Sequence, residues 1–262
     1  MKIKVGIIGG GNMGAAIMAS VQDKYSVNVC EADKNRCQYL KSKYKVAINH
    51  LRNVVVQSEI IILAVKPQSF EALLQEVREL EIEGKVFISI AAGITTQYIE
   101  KRLGSKTRVI RVMPNLPAQV GQGITAVCKG KYSRMADTSI ACEIFSSIGS
   151  VVIVEEKWMD AVTAVSGSGP AYVFLFAEIF KKAARSLGLN EGLSQLLVQQ
   201  TLKGSLQLLE QSKEDPGTLR ERVTSKGGTT QAAMDVLTGK KIDKIFKEAL
   251  AAAKKRAMEL SK

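Results

Sequence analysis

Lys2-Ile3-Lys4-Val5-Gly6-Ile7-Ile8-Gly9-Gly10-Gly11-Asn12-Met13-Gly14 opens the chain, and its reading decides the fold. Lys2 to Ile8 is a short strand rich in Val and Ile, and the glycine turn after it satisfies G-x-G-x-x-G. Ala15, Ala16, Ile17 and Met18 continue as helix, and Val27 to Glu31 follows as a second strand ending in a carboxylate. A glycine pattern alone is weak. A strand before it, a helix after it and an acid roughly 20 residues on make it a dinucleotide-binding signature. Gly9 would permit the tight turn, Gly11 the approach of backbone to a pyrophosphate, and Gly14 the close packing of helix on strand. Free N–H groups at the helix start would face the anion. The competing reading is an ordinary glycine-rich strand-to-helix turn.

With 262 residues the chain can build one large domain or two modest ones around a real core. The apolar start imitates a signal peptide, but Gly9 to Asn12 interrupt it and no small-residue cleavage site follows. No uninterrupted apolar run approaches ~18 residues, so no membrane span is expected. Cys30, Cys37, Cys128 and Cys142 show no C-x-x-C spacing, and His50 is the single histidine. Neither a zinc site nor a disulfide framework is expected, and free thiols in a reducing cytoplasm are. The net charge of +12 lies largely in Lys34–Lys45 and Lys240–Lys262. Aromatics are few and no basic helix carries a recognition pattern, so solvated lysine faces are preferred to nucleic-acid binding.

Further strands are expected at Ile60–Val65, Val86–Ile90, Arg108–Val112, Ile124–Cys128 and Val151–Val154, with helices at Phe70–Glu79, Thr96–Leu103 and Ala136–Ile148. Continuous Val/Ile runs alternating with helices predict a doubly wound, mostly parallel sheet covered on both faces. From Trp158 the pattern is helical only: Met159–Val165, Ala171–Leu187, Leu193–Glu210, Thr229–Leu237 and Ile242–Leu260. The expected division is a dinucleotide-binding domain over 1–157 and an all-α domain over 158–262. Ala171–Leu187 is apolar nearly all round, so it must be buried, and subunits are expected to bury it together.

Ala64–Gln68, Ser89–Ile94 and Arg111–Pro117 sit where sheet strands should end, the edge at which ligands collect in such folds. Each is either a cofactor wall or a plain turn, and Asn115 could bond a carboxamide. Ser225-Lys226-Gly227-Gly228-Thr229-Thr230 runs into a helix and is either a carboxylate or phosphate cradle or a threonine-capped turn. Ser166–Pro170 places tiny residues before a buried helix. Apart from Lys66 and Lys226 these glycine segments hold no evident proton donor. Ketone reduction needs a positioned acid for the developing alkoxide, whereas an imine that arrives protonated does not. The balance leans toward C=N reduction.

These segments resemble the pyrroline-5-carboxylate reductase family. The likeness runs through Gly9–Gly14, Ala64–Gln68, Ser89–Ile94, Arg111–Gly123, Val165–Tyr172 and Leu219–Leu237, the last looking like the family's signature. The resemblance implies a nicotinamide-dependent reductase with a Rossmann-type doubly wound parallel sheet and an all-α C-terminal domain that dimerises by exchanging helices, often within decamers. By matching position, Gly9, Gly11, Asn12, Met13 and Gly14 would hold the pyrophosphate. Val65, Lys66 and Pro67 would flank the adenosine and ribose, and Ala91, Ala92 and Asn115 would lie near the nicotinamide. Ser225, Gly227, Gly228 and Thr229 would bind the substrate carboxylate, while Thr230, the catalytic candidate, would hydrogen-bond the ring nitrogen. Hydride transfer to the imine carbon would give L-proline.

Two positions depart from the family. Lys226 stands where proline is common. Glu31 stands where small hydroxyl residues are common, and a carboxylate there favours a ribose diol over a 2′-phosphate, so NADH is expected over NADPH. Lys34 and Arg36 lie close enough to support NADPH. Asn53, just after His50, falls where the family often places a cofactor-contacting asparagine, and neither is assigned. The rival enzyme reading is a β-hydroxyacid dehydrogenase, whose opening Gly11–Met18 also resembles. Those enzymes carry a catalytic lysine on the long interdomain helix, and Ala171 to Phe180 has none. A nucleotide-sensing or DNA-associated protein of the same fold is the non-catalytic rival, supported only by the high pI.

Overall fold

The computed structural model describes residues 2–104 and 106–260. Two compact units emerge, Met1–Ser168 with Ala252–Lys262, and Gly169–Ala251.

The first unit alternates strand and helix. Its elements are β1 (Lys4–Ile8), α1 (Asn12–Val21), β2 (Ser26–Cys30), α2 (Lys34–Tyr44), β3 (Ala47–Ile48), α3 (Leu51–Gln57), β4 (Ile60–Leu63), α4 (Phe70–Arg78), β5 (Val86–Ser89), α5 (Thr96–Leu103), β6 (Arg108–Met113), β7 (Gly123–Lys129), α6 (Met135–Ser146) and β8 (Gly149–Ile153). The eight strands form one sheet in the order β3-β2-β1-β4-β5-β6-β7-β8. Strand order reverses between β1 and β4, which places the ligand-binding crevice at their carboxyl ends.

All pairings are parallel except β6 with β7. The link from β6 to β7 holds only the 3₁₀ turn Leu116–Val120. A parallel crossover needs roughly a dozen residues or more, usually a helix, so a connection this short returns the chain antiparallel.

Alternation along the buried strands supplies two cores. Val5, Ile7, Ile60, Ile62, Ile88 and Ile110 pack with Ile17, Met18, Ile144 and Phe145 of α1 and α6. Ile8, Ile61, Leu63, Phe87 and Val109 pack with Val54, Phe70, Leu74, Ile99 and Leu103 of α3, α4 and α5. Both faces are apolar, which is why these strands read as continuous Val/Ile runs.

After β8, a 3₁₀ turn (Glu156–Trp158), α7 (Met159–Val162) and a π-helical turn (Thr163–Gly167) run into α8 (Gly169–Ser186). The Ser168 N–H donates to the Thr163 carbonyl at 2.8 Å, closing the π-turn. Glu156–Ser186 is the one helix among the described residues long and apolar enough, by length and composition, to cross a membrane. The absence of an uninterrupted apolar run at the sequence level did not bring this out, because Glu178, Lys181 and Lys182 break the run but not the helix.

The second unit continues with α9 (Glu191–Ser212), α10 (Pro216–Arg222), α11 (Thr229–Gly239) and the first half of α12 (Ile242–Leu260). Asn190 caps α9 by accepting the Leu193 N–H at 2.9 Å, and Asp215 caps α10 by accepting that of Gly217 at 2.7 Å. No strand occurs beyond β8 among the described residues. The first unit runs on through Ser168, past the change from strand to helix near Trp158. Phe174, Leu175, Phe176, Ile179, Leu196 and Leu206 of α8 and α9 are exposed.

Candidate functional site

The glycine turn is built by its neighbours. Gly9 has φ +102°, a left-handed value that only glycine adopts freely, and a Cβ there would stand 2.6 Å from the Ala64 carbonyl oxygen of the chain leaving β4. Its N–H donates to the Cys30 carbonyl at the end of β2, at 2.8 Å. A Cβ on Gly14 would overlap the Gly9 carbonyl oxygen, so α1 packs directly on the turn. Gly11 differs: nothing lies within 4 Å of where its Cβ would be. It is also the N-cap of α1, with no side chain on the first N–H groups of the helix. Open space over an uncapped helix start is an anion site with its donors already aimed.

Gly11, Asn12 and Met13 floor a cleft of about 660 Å³, which fits the dinucleotide that the fold implies. Val65, Lys66 and Pro67 wall one side. Ile90, Ala91 and Ala92 from beyond β5, Pro114, Asn115 and Leu116 from beyond β6, and Gly167 of the π-turn wall the other. Nine of the residues expected from the sequence are thereby brought to one surface: Gly11, Asn12, Met13, Val65, Lys66, Pro67, Ala91, Ala92 and Asn115. Gly9 and Gly14 shape the cleft without lining it. Asn115 is 9% exposed, and its Oδ1 accepts the Ile124 N–H at 3.0 Å. Its NH2 is therefore the part able to donate to a carboxamide.

Glu31 lies outside the lining and grips the loop. Its Oε2 accepts the Gly10 N–H at 2.7 Å and its Oε1 the Asp33 N–H at 2.9 Å. Arg36, which does line the cleft, donates from Nε to the Gly10 carbonyl at 2.5 Å, with its guanidinium 4.6 Å from the Tyr39 ring centre. A carboxylate and a guanidinium thus hold the two ends of one glycine residue. Each Glu31 oxygen keeps a lone pair for a ribose hydroxyl. His50 is the N-cap of α3 and Asn53 lies within it; both are exposed and off the cleft.

In the second unit, Ser225 to Gly228 make a turn closed by the Gly228 N–H on the Ser225 carbonyl at 2.9 Å. Gly227 has φ +72°, and Gly228 is the N-cap of α11 without a side-chain cap. Ser225, Gly227 and Thr229 are exposed, and Gly228 and Thr230 are half-buried. This is the second uncapped helix start with glycine backbone at its mouth, the donor set that a small carboxylate requires.

A cluster that the sequence reading gave no role lies under the cleft's far wall. Arg111, 2% exposed, donates to Glu156 at 3.0 Å and to Asp160 at 3.2 Å. Its position on a strand was legible, but its partners stand 45 and 49 residues away. Cys128 lies beside Glu156, and burial, followed by that carboxylate, pushes its thiol up to about 12. Among the described residues no group of three or more His, Cys, Asp or Glu side chains gathers as a metal cage.

The family model described as pyrroline-5-carboxylate reductase dimerisation matches residues 156–260, and the one described as NADP oxidoreductase, coenzyme F420-dependent, matches residues 4–93. The pyrroline-5-carboxylate reductase of Synechocystis sp. is 38% identical over 268 residues, covering 100% of both chains. The solved structure of that enzyme from Coxiella burnetii is 33% identical with a TM-score of 0.90, covering 100% of each chain. The pyrroline carboxylate reductase of Plasmodium falciparum, solved with NADP bound, is 29% identical with a TM-score of 0.90, over 99% of this chain and 98% of that one.

Proposed function

The chain belongs to the pyrroline-5-carboxylate reductase family, and from that premise we propose which of its residues hold the reactants. It is an NAD(P)H-dependent oxidoreductase that reduces 1-pyrroline-5-carboxylate to L-proline, the last step of proline biosynthesis, and it is a homo-oligomer.

When bound, the nicotinamide supplies a hydride to the carbon of the imine. The protein's part is to bind and orient. In our reading the N–H groups of Asn12, Met13 and Gly14 hold the pyrophosphate over the open face of Gly11, with Gly9 giving the turn. Val65, Lys66 and Pro67 carry the adenosine side, and Glu31 accepts from the ribose diol. Ala91 and Ala92 leave room for a flat ring whose carboxamide meets the Asn115 NH2. The carboxylate of the substrate sits on the α11 N-terminus, held by Ser225, Gly227, Gly228 and Thr229. The Thr230 hydroxyl bonds the ring nitrogen. The substrate arrives as a protonated imine and leaves as a neutral amine, so orientation rather than proton donation is what these residues supply.

We divide the roles between a cofactor domain, 1–157, and a substrate and dimerisation domain, 158–262. The homodimer forms through the C-terminal helices and would be the unit from which a decamer is built. It sits in the cytoplasm without nucleic-acid or membrane partners. The four free cysteines support a reducing compartment.

The observation that carries the site assignment is the empty space over Gly11 at an uncapped helix start, opening on a cleft that reaches Ala91, Ala92 and Asn115. Steady-state turnover of 1-pyrroline-5-carboxylate tests it. Thr230→Val should lower kcat/KM for the imine by about 100-fold, on the order of 2.7 kcal/mol, at unchanged cofactor KM. Full activity in that variant would remove Thr230 from the site.

A further inference from the structure

We propose that Glu156 is a positioning residue, one carboxylate that ties together three walls of the cleft's nicotinamide end. The proposal rests on the assignment of that end made above. Glu156 Oε1 accepts from Arg111 Nη1 at 3.0 Å and from the Thr96 N–H at 3.2 Å. Its Oε2 accepts from the Thr96 hydroxyl at 2.5 Å. Arg111 Nη2 reaches Asp160 at 3.2 Å, so the start of the long helix is held at a second point.

Each partner leads to a wall. Thr96 begins α5, and the chain just before it is the loop carrying Ala91 and Ala92. Arg111 lies on β6, which runs out through Met113 to Pro114 and Asn115. Glu156 and Asp160 belong to the helix that reaches Gly167 through the π-turn, and a Cβ on Gly167 would collide with the Met113 side chain. π-turns inside helices frequently mark functional sites.

Stability alone does not account for this arrangement. A buried ion pair is often matched or bettered by apolar side chains of the same volume. What it adds is direction: four hydrogen bonds fix three backbones from different parts of the chain. Hydride transfer needs the reacting atoms held within roughly 3–3.5 Å, and errors of about 1 Å are costly.

Glu156→Gln tests this, because the amide carries no charge for Arg111 and puts an NH2 group where Oε2 accepts the Thr96 hydroxyl. Binding of NADH and of ADP-ribose, which lacks the nicotinamide, is measured by calorimetry beside steady-state rates. The expected result is a roughly tenfold loss in kcat and weaker NADH binding, with ADP-ribose affinity unchanged. Parent-like kcat and NADH affinity overturn the proposal, and so does an equal loss for both ligands, which marks general loosening. If Glu156→Gln does not fold, Thr96→Val, which removes only the hydroxyl arm, decides in the same assays with the same two outcomes. If instead the parent enzyme binds NADH no better than ADP-ribose and fails to turn over, it is the site assignment that falls.

Discussion

An alanine at Gly9 or Gly14 has nowhere to place its methyl group, since the Ala64 carbonyl blocks one and the Gly9 carbonyl the other. Gly9→Ala must also hold a left-handed φ. Each of these two substitutions should cost about 1–3 kcal/mol and lower Tm in a thermal melt. Gly11→Ala should melt with the parent, because its methyl enters open space, yet raise KM for both cofactors by about tenfold by filling the approach to the pyrophosphate. Equal Tm losses in all three would contradict the division of roles. Glu31 is tested by ratio: Glu31→Ser should shift kcat/KM toward NADPH, and an unchanged ratio would leave the carboxylate only its grip on Gly10 and Asp33. The glycine fingerprint was legible in the sequence because its chemistry lies within a few consecutive residues. The Arg36 contact with the Gly10 carbonyl was not, since it spans 26 positions and needs the α2 turn to close it. The Glu156 cluster was hidden for the same reason.

Helices and strands were legible where a face is buried. β4, β5 and β6 read as strands because both faces are covered. α2 and α3 did not read as helices, since α2 buries only Leu40 and α3 only Val54 and Val55. β3 is two residues long and α10 seven, too short for a period to show. The antiparallel turn into β7 depends on the length of a connection rather than on the residues of the strand. On α5, facing the turn after β7, sits Glu100, 7% exposed, which accepts the Lys131 N–H at 2.8 Å. Burial raises its pKa above the ordinary 4.5, only partly offset by the backbone N–H groups of Lys131 and Tyr132. A raised folded value means that the native state binds the proton more tightly than the unfolded chain. The contribution is therefore favourable below the ordinary pKa and is lost as pH rises through the raised one. Glu100→Gln keeps a carbonyl acceptor and removes the ionisation. Its Tm should equal the parent's near pH 4 and exceed it at about pH 8. A deficit confined to the higher pH would show instead that the ionised carboxylate is favourable there.

At the level of the whole chain, α8 and α9 present exposed apolar side chains. Phe174, Leu175, Phe176, Ile179 and Phe180 of α8 are exposed in a single chain, along with Leu196, Leu197, Leu206 and Leu208 of α9. Patches of this kind mark an interface. The family's dimerisation region, residues 156–260, contains both helices, and homo-oligomerisation explains the exposed apolar side chains of α8, whose charged residues Glu178, Lys181, Lys182 and Arg185 keep to one stripe. Phe176 and Phe180 lie against each other at a tilt of 52° with ring centres 5.9 Å apart, and burying a phenylalanine contributes roughly 1.5–3 kcal/mol. Replacing both with glutamate would bury two charges against a partner helix, so the double variant should sediment as a monomer. It should also separate two functions. The glycine turn, Glu31, Val65–Pro67, Ala91, Ala92 and Asn115 all lie in the first unit, so ADP-ribose affinity should stay close to the parent value. Turnover of 1-pyrroline-5-carboxylate should fall below about a hundredth of the parent rate, because α11 and the turn proposed to bind the carboxylate belong to the same helical unit as α8 and α9. A monomer that keeps full turnover would mean that each chain closes its own site and that the exposed faces of α8 and α9 serve assembly alone.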